Sequence, residues 1–190
     1  MRCIVCQKLS FDVICKSCQS KLLKPTITTR YENDLNIISF FGYHNIESLL
    51  LTKHTPLGYR VYKLFGRLIF RPFLQKFVEE LDSIYIIPID DRVTNGYSHT
   101  ALLAHYSKST KIIPLYNSLR ALNPVKYAGK SKEFRLNNPR EFIYTGKRDI
   151  QVILIDDIVT TSLTLQEAKN TLISKGVDVI FALTIADAKL

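Results

Sequence analysis

The chain has 190 residues, 46% hydrophobic and 23% charged, with only seven Gly and seven Pro, a balance that suits a globular core and excludes long disordered tracts. No apolar run approaches the roughly 18 residues of a membrane span, and the opening MRCIVCQK has no apolar leader core, so a cytoplasmic protein without membrane insertion is expected. The formal charge is +9, and residues 117–148 hold eight Lys or Arg against two Glu, an excess of six that fits a polyanionic partner but also serves plain solubility.

The first element is a metal knuckle. Cys3, Cys6, Cys15 and Cys18 follow a C-x2-C-x8-C-x2-C spacing within the first 18 residues. Each C-x2-C turn aims two sulfurs at one point, so two turns complete a tetrahedral Zn²⁺ shell that is closed and structural. Disulfides are the competing reading, disfavoured by the missing secretion signal. Domain boundaries are expected at 1–24 for this finger and 25–190 for the remainder.

Beyond Pro25, TITTR reads as a linker or edge strand, and LNIISFFGYH as a strand stopped by Gly42. From residue 59 to 81 apolar positions recur at helical intervals, predicting a helix kinked near Pro72. Arg60, Lys63, Arg67 and Arg71 form a basic stripe on another face of it, solvated or in contact with nucleic acid. SIYIIPI predicts a short buried strand, residues 98–107 a helix, and KIIPL another strand. The basic segment follows, with Lys126, Lys130, Lys132 and Arg135 as further candidate nucleic-acid contacts. DIQVILIDD is the strongest strand, TLQEAKNTLISKG a helix stopped by Gly176, and VDVIFALTIA a last strand. Alternating strands and helices with near-continuous apolar strands predict an α/β fold with a mostly parallel sheet flanked by helices. Ligands of such sheets bind beyond the carboxyl ends of the strands.

At that end of the strongest strand stands VILIDDIVTTSLTL. One Asp would suffice to open a loop and cap a helix. A second Asp followed by Thr160, Thr161, Ser162, Leu163 and Thr164 suits a sugar phosphate. The turn and helix N-terminus offer amides and hydroxyls to a phosphate, while Asp156 and Asp157 suit a ribose diol or a shared Mg²⁺.

This stretch resembles the phosphoribosyl-pyrophosphate (PRPP) motif of type I phosphoribosyltransferases. The order of four-cysteine knuckle, FGYH, IPIDDRVTNGYSH, LRALNPVKYAGKSKEFRLNN and PRPP motif resembles the ComF family of DNA-uptake (competence) proteins over nearly the whole chain. The resemblance implies a type I phosphoribosyltransferase-like domain behind a small zinc-binding domain, with PRPP bound by Asp156, Asp157, residues 160–164 and Arg92, together with Mg²⁺. It implies single-stranded DNA, a competence helicase and a recombination mediator protein as partners, at the inner face of the inner membrane. Residues 120–135 would be the basic segment that closes over pyrophosphate. Two departures stand out: Ser162 replaces a usual Gly, and Asn95-Gly96-Tyr97-Ser98 replaces an Arg-Gly-Phe-Asn run.

Gly129-Lys130-Ser131 ends like a Walker A loop, but the leading Gly would fall at Pro124, which lacks the needed amide. His44, His54, His99 and His105 lie far apart and are expected in ordinary surface or packing roles. Two functions follow: a PRPP-binding domain of DNA uptake that handles incoming single-stranded DNA, or a catalytic phosphoribosyltransferase of nucleotide metabolism with no DNA role. No residue run identifies an acceptor base.

Overall fold

The computed structural model describes residues 1–90, 92–93, 96–125, 127 and 129–190. A six-stranded sheet forms its centre, built from β1 (Thr28–Glu32), β2 (Leu35–Gly42), β3 (Ile84–Pro88), β4 (Ile112–Pro114), β7 (Ile150–Val159) and β8 (Val177–Asp187) in the order β1-β2-β8-β7-β3-β4. Only the β1–β2 hairpin at one edge is antiparallel. The mixed α/β architecture with a mostly parallel sheet between helices is therefore as the strand patterning predicts.

The two faces of the sheet carry separate apolar clusters. On one, Ile153 and Ile155 of β7 pack with Phe65, Phe70, Leu74 and Leu103 from α3 (Pro56–Phe65), the turn that follows it, α4 (Arg71–Phe77) and α5 (His99–Ser107). On the other, Val152 and Leu154 pack with Leu165, Ala168 and Leu172 of α7 (Leu163–Ile173). Successive side chains of a strand point to opposite faces, and a strand covered on both is apolar throughout.

Pro72 acts earlier along the chain than its position suggests. The widened π turn spans Gly66–Phe70, between α3 and α4. The proline ring excludes the carbonyl four residues before it, so the preceding turn opens to absorb the mismatch. Gly66 lies in this turn against α5, where an added Cβ would meet Tyr106 Cβ at 2.7 Å.

The basic segment holds structure that its charge conceals. β5 (Leu119–Ala121) and β6 (Phe142–Tyr144) pair antiparallel as a second small sheet, with α6 (Lys132–Asn137) between them. Phe142 and Tyr144 belong to the cluster under α7. Gly129-Lys130-Ser131 thus leads into a six-residue helix, with Ser131 Oγ accepting from the Phe134 amide, and follows no strand of the main sheet. The Walker reading lacks its strand-to-helix setting. At the N-terminus α1 (Lys16–Leu22) follows the cysteine loops, and α2 (Tyr43–Leu50) follows β2. Cys3, Val13, Ile14 and Leu23 are buried in the same cluster as α3.

Candidate functional site

The two acids sit differently from what an apolar run ending in DD suggests. β7 continues through both of them to Val159, so they are residues within a strand and inherit its alternation. Asp156 follows Val152 and Leu154 toward the α7 face, and Asp157 follows Ile153 and Ile155 toward α3 and α5. The pair does not form a pincer on one side of the sheet.

Asp157 is buried and held from several directions. Lys53, from the 3₁₀ turn Leu51–His54 after α2, donates to its Oδ2 at 2.9 Å. The buried Tyr62 hydroxyl of α3 donates to the same oxygen at 3.4 Å, and His99 Nε2 at the start of α5 stands 3.5 Å away. Oδ1 accepts from the Ile158 amide at 2.8 Å. Burial alone would raise this carboxyl, but the charges of His99 and Lys53 outweigh it and hold Asp157 far below its ordinary value. Burial drives His99 down against the pull of Asp157. Lys53 is raised because Asp157 overcomes the cost of burial. His99 thus takes a packing role against a buried carboxylate, and only tertiary packing brings it and Lys53 to the acid.

Asp156 faces a different environment. Burial, then the charge of Asp157, push it well above the usual carboxylate range. It lines a small cavity of about 30 Å³ together with Thr160, Thr161, Ser162, Leu163, Thr164 and Arg135, at the carboxyl end of β7 and the N-terminus of α7. The Thr161 hydroxyl there is buried with no hydrogen-bond partner among the described residues.

Ser162 stands in a backbone conformation that glycine adopts freely. Its φ of 59° is left-handed, a conformation that costs a non-glycine residue about 1–2 kcal/mol. Its side chain offsets that cost: the hydroxyl donates to Glu32 of β1 and accepts from Gln166 Nε2 at 2.8 Å. Glu32 is steadied by Lys189 at 3.0 Å and Arg30 at 3.3 Å. Burial opposes its ionisation, but the Ser162 bond and those two cations prevail and lower its pKa. Arg30 also pairs with the buried Asp187 at 3.3 Å and donates to the Thr160 carbonyl at 3.1 Å. Arg30 and Glu32 escape sequence reading because they lie about 130 residues from the loop they support.

The four cysteine sulfurs lie within 4.8 Å of one another. Cys6 and Cys15 are 3.7 Å apart, too far for a disulfide and close to the roughly 3.8 Å edge of a zinc tetrahedron with about 2.3 Å bonds. Against burial, amides of Cys15, Cys6 and Val5 draw Cys3 down to about 6, while burial and the neighbouring sulfurs push Cys18 up to about 12. Sulfurs this crowded need a cation before all can ionise, so the donor set fits Zn²⁺.

The remaining basic candidates divide into separate groups. Arg60, Lys63 and Arg67 line a groove of about 320 Å³ with Tyr59 and Leu64, facing Phe11, Asp12 and Val13 of the cysteine segment. Phe11 is fully exposed there, and Arg71 is exposed outside the groove lining. Lys132 is exposed on α6, Lys130 lies 5.1 Å over the Phe134 ring, and Arg135 reaches the cavity. Lys126 falls outside the described residues, as do Asp91 and Asn95. Arg92 donates to the Ala121 carbonyl of β5 at 2.7 Å. No helix among the described residues is long and apolar enough to cross a membrane.

Neither protein-family models nor curated proteins yield a match to the chain. Among solved structures, adenine phosphoribosyltransferase from Saccharomyces cerevisiae is 13% identical with a TM-score of 0.46, over 90% of this chain and 88% of that one. The Leishmania tarentolae adenine phosphoribosyltransferase is 14% identical, TM-score 0.39, over 90% and 87%. Leishmania donovani UMP synthase is 16% identical, TM-score 0.39, over 67% of this chain but only 22% of its own length.

Lys53→Met leaves a buried carboxylate without its cation, and at pH 7 it is expected to destabilise the fold by about 3 kcal/mol in urea titrations. The depressed pKa of Asp157 contributes stability above its unfolded value near 3.9, lost as pH falls; Lys53, raised, contributes below about 10.4 and loses it as pH rises past its folded value. The gap between wild type and variant therefore narrows from pH 7 toward pH 4, as the variant's Asp157 accepts a proton. A gap independent of pH would show that the pair is not ionic.

Proposed function

We propose that this chain is a PRPP-binding protein of the ComF type, with a type I phosphoribosyltransferase-like domain that works in DNA uptake. The observation that carries the reading is the cavity at the end of β7, where an acid, a run of hydroxyls and a helix N-terminus converge. Backbone amides and the positive end of α7 suit a 5-phosphate, and the Thr161 hydroxyl, without a hydrogen-bond partner among the described residues, supplies a further donor. Asp156 takes the ribose hydroxyls: hydrogen-bond donors or added positive charge would ease the ionisation that burial and Asp157 oppose. The same carboxylate would hold a Mg²⁺ ion, whose chemistry is to neutralise the charge of the leaving pyrophosphate. Asp157, facing the other way, keeps Lys53 and His99 in place behind it. Turnover needs an acceptor that no residue here identifies.

In this reading Asp156→Asn weakens PRPP binding at least tenfold by calorimetry while the melting temperature holds. Asp157→Asn instead lowers the melting temperature. Equal PRPP affinity in Asp156→Asn and wild type would move the sugar site elsewhere.

The cysteine cluster holds one structural zinc. Protein purified without added metal is expected to contain about one zinc per chain by elemental analysis, and stripping it with a strong chelator lowers the melting temperature. Reduced, folded protein with no zinc would refute this.

A second surface favours single-stranded DNA. The groove between the cysteine segment and α3 places an exposed aromatic, Phe11, opposite Arg60, Lys63 and Arg67, the pairing of stacking platform and phosphate contacts that single strands use. Converting these three cations to Glu is expected to abolish oligonucleotide binding and leave PRPP binding intact. Wild-type affinity falls with salt at a log–log slope of about −0.7 for each phosphate neutralised. Unchanged binding in the triple variant would exclude the groove.

A further inference from the structure

Arg135 is fixed more firmly than a mobile basic segment requires. Its Nη1 donates to Thr160 Oγ1 at 2.5 Å, Nη2 to the Tyr127 carbonyl at 3.0 Å and Nε to the Lys130 carbonyl at 3.3 Å. The guanidinium lies 5.3 Å over the ring of Tyr127, which is buried and anchored through its hydroxyl to the Asn138 carbonyl at 2.6 Å. Yet among the described residues no carboxylate lies within 4 Å of it; Arg140, on the same ring at 4.5 Å, has Asp90 at 3.5 Å. Two cations share one aromatic ring, and only one has a counter-ion.

The other side of the loop sharpens the point. Ser162 leans on the ionised Glu32, whose charge is matched by Lys189 and Arg30 behind the loop. From the front the loop supplies only neutral donors, hydroxyls and amides. A phosphate monoester near neutral pH carries close to two negative charges, and among the described residues Arg135 is the one cation that lines the cavity.

We propose that Arg135 is a specificity determinant of the sugar-phosphate site. Its guanidinium, already seated on Thr160, grips the ligand's 5-phosphate, so the site selects ligands that carry a phosphate monoester at that position. The assignment rests on the PRPP reading above and takes Arg135 out of both the pyrophosphate-closing segment and the DNA-contacting set.

The test measures PRPP, ribose 5-phosphate and a single-stranded oligonucleotide against wild type, Arg135→Gln and Arg135→Lys, with melting temperatures alongside. Both sugar phosphates are expected to weaken by the same factor in Arg135→Gln, about 10- to 100-fold, the size of a lost charge-assisted hydrogen bond. Arg135→Lys keeps the charge but loses the planar fork, and recovers part of the affinity for both ligands alike. Oligonucleotide binding is unchanged. Loss for PRPP alone would place Arg135 on the pyrophosphate, and loss for the oligonucleotide alone would place it on DNA; either overturns the assignment, as does no loss at all. Should Arg135→Gln melt early, Arg135→Lys decides by the same equal-loss criterion. Wild-type protein that binds neither sugar phosphate would overturn the PRPP reading itself, and the assignment with it, before any variant is compared.

Discussion

The carboxylate of Asp157 ties the centre of the sheet to the helical layer beside it. Lys53, Tyr62 and His99 come from three different segments and converge on that one group. A charge buried at this depth is tolerated only when its partners are in place, so the packing of the 3₁₀ turn, α3 and α5 against β7 is conditional on it. The consequence reaches across the strand. Because Asp157 keeps its charge, its neighbour Asp156 faces a negative field as well as burial, and its pKa rises. Two chemically identical side chains, adjacent in the chain, thus take opposite properties from the period-two geometry of a strand. One is a fixed anion inside the fold; the other lines a cavity and is pushed toward its neutral form.

The loop after β7 depends on a second long-range contact. A left-handed serine is strained, and the bonds from its hydroxyl to Glu32 and from Gln166 to that hydroxyl hold the turn in place. Glu32 comes from the antiparallel edge hairpin, which gives that hairpin a role besides covering β2. The negative charge behind the loop is matched by Lys189 and Arg30, and the front of the cavity receives Arg135 from the basic segment. The loop between β7 and α7 is therefore braced from behind by the first strand and faces Arg135 of α6 across the cavity.

At the N-terminus the cysteine segment gathers its four sulfurs at one point and packs onto the main cluster through Cys3. Its apolar residues Val13 and Ile14 turn inward to the main cluster, while Phe11 stays outside. An aromatic side chain left in solvent beside three cations leaves a groove between the cysteine segment and α3, far along the chain from the hydroxyl-rich loop.

The sequence by itself determined the α/β class, the order of most strands and helices, the four-cysteine cluster and the location of the hydroxyl-rich loop. Each is encoded by short spacing: the apolar run of β7, two C-x2-C turns and the cluster of hydroxyls after the paired acids. It did not separate Asp156 from Asp157, because the apparent strand end conceals that β7 runs on to Val159 and sends adjacent residues to opposite faces. It gave His99 no distinction and Lys53, Arg30 and Glu32 no notice, since a charge acquires its meaning from partners 58 to 130 residues away that only folding supplies. The same holds for Arg135, one cation among many in its segment. What sets it apart is a ring beneath it, three oxygens around it and, among the described residues, no carboxylate within 4 Å, a relation among distant residues that only the tertiary structure decides.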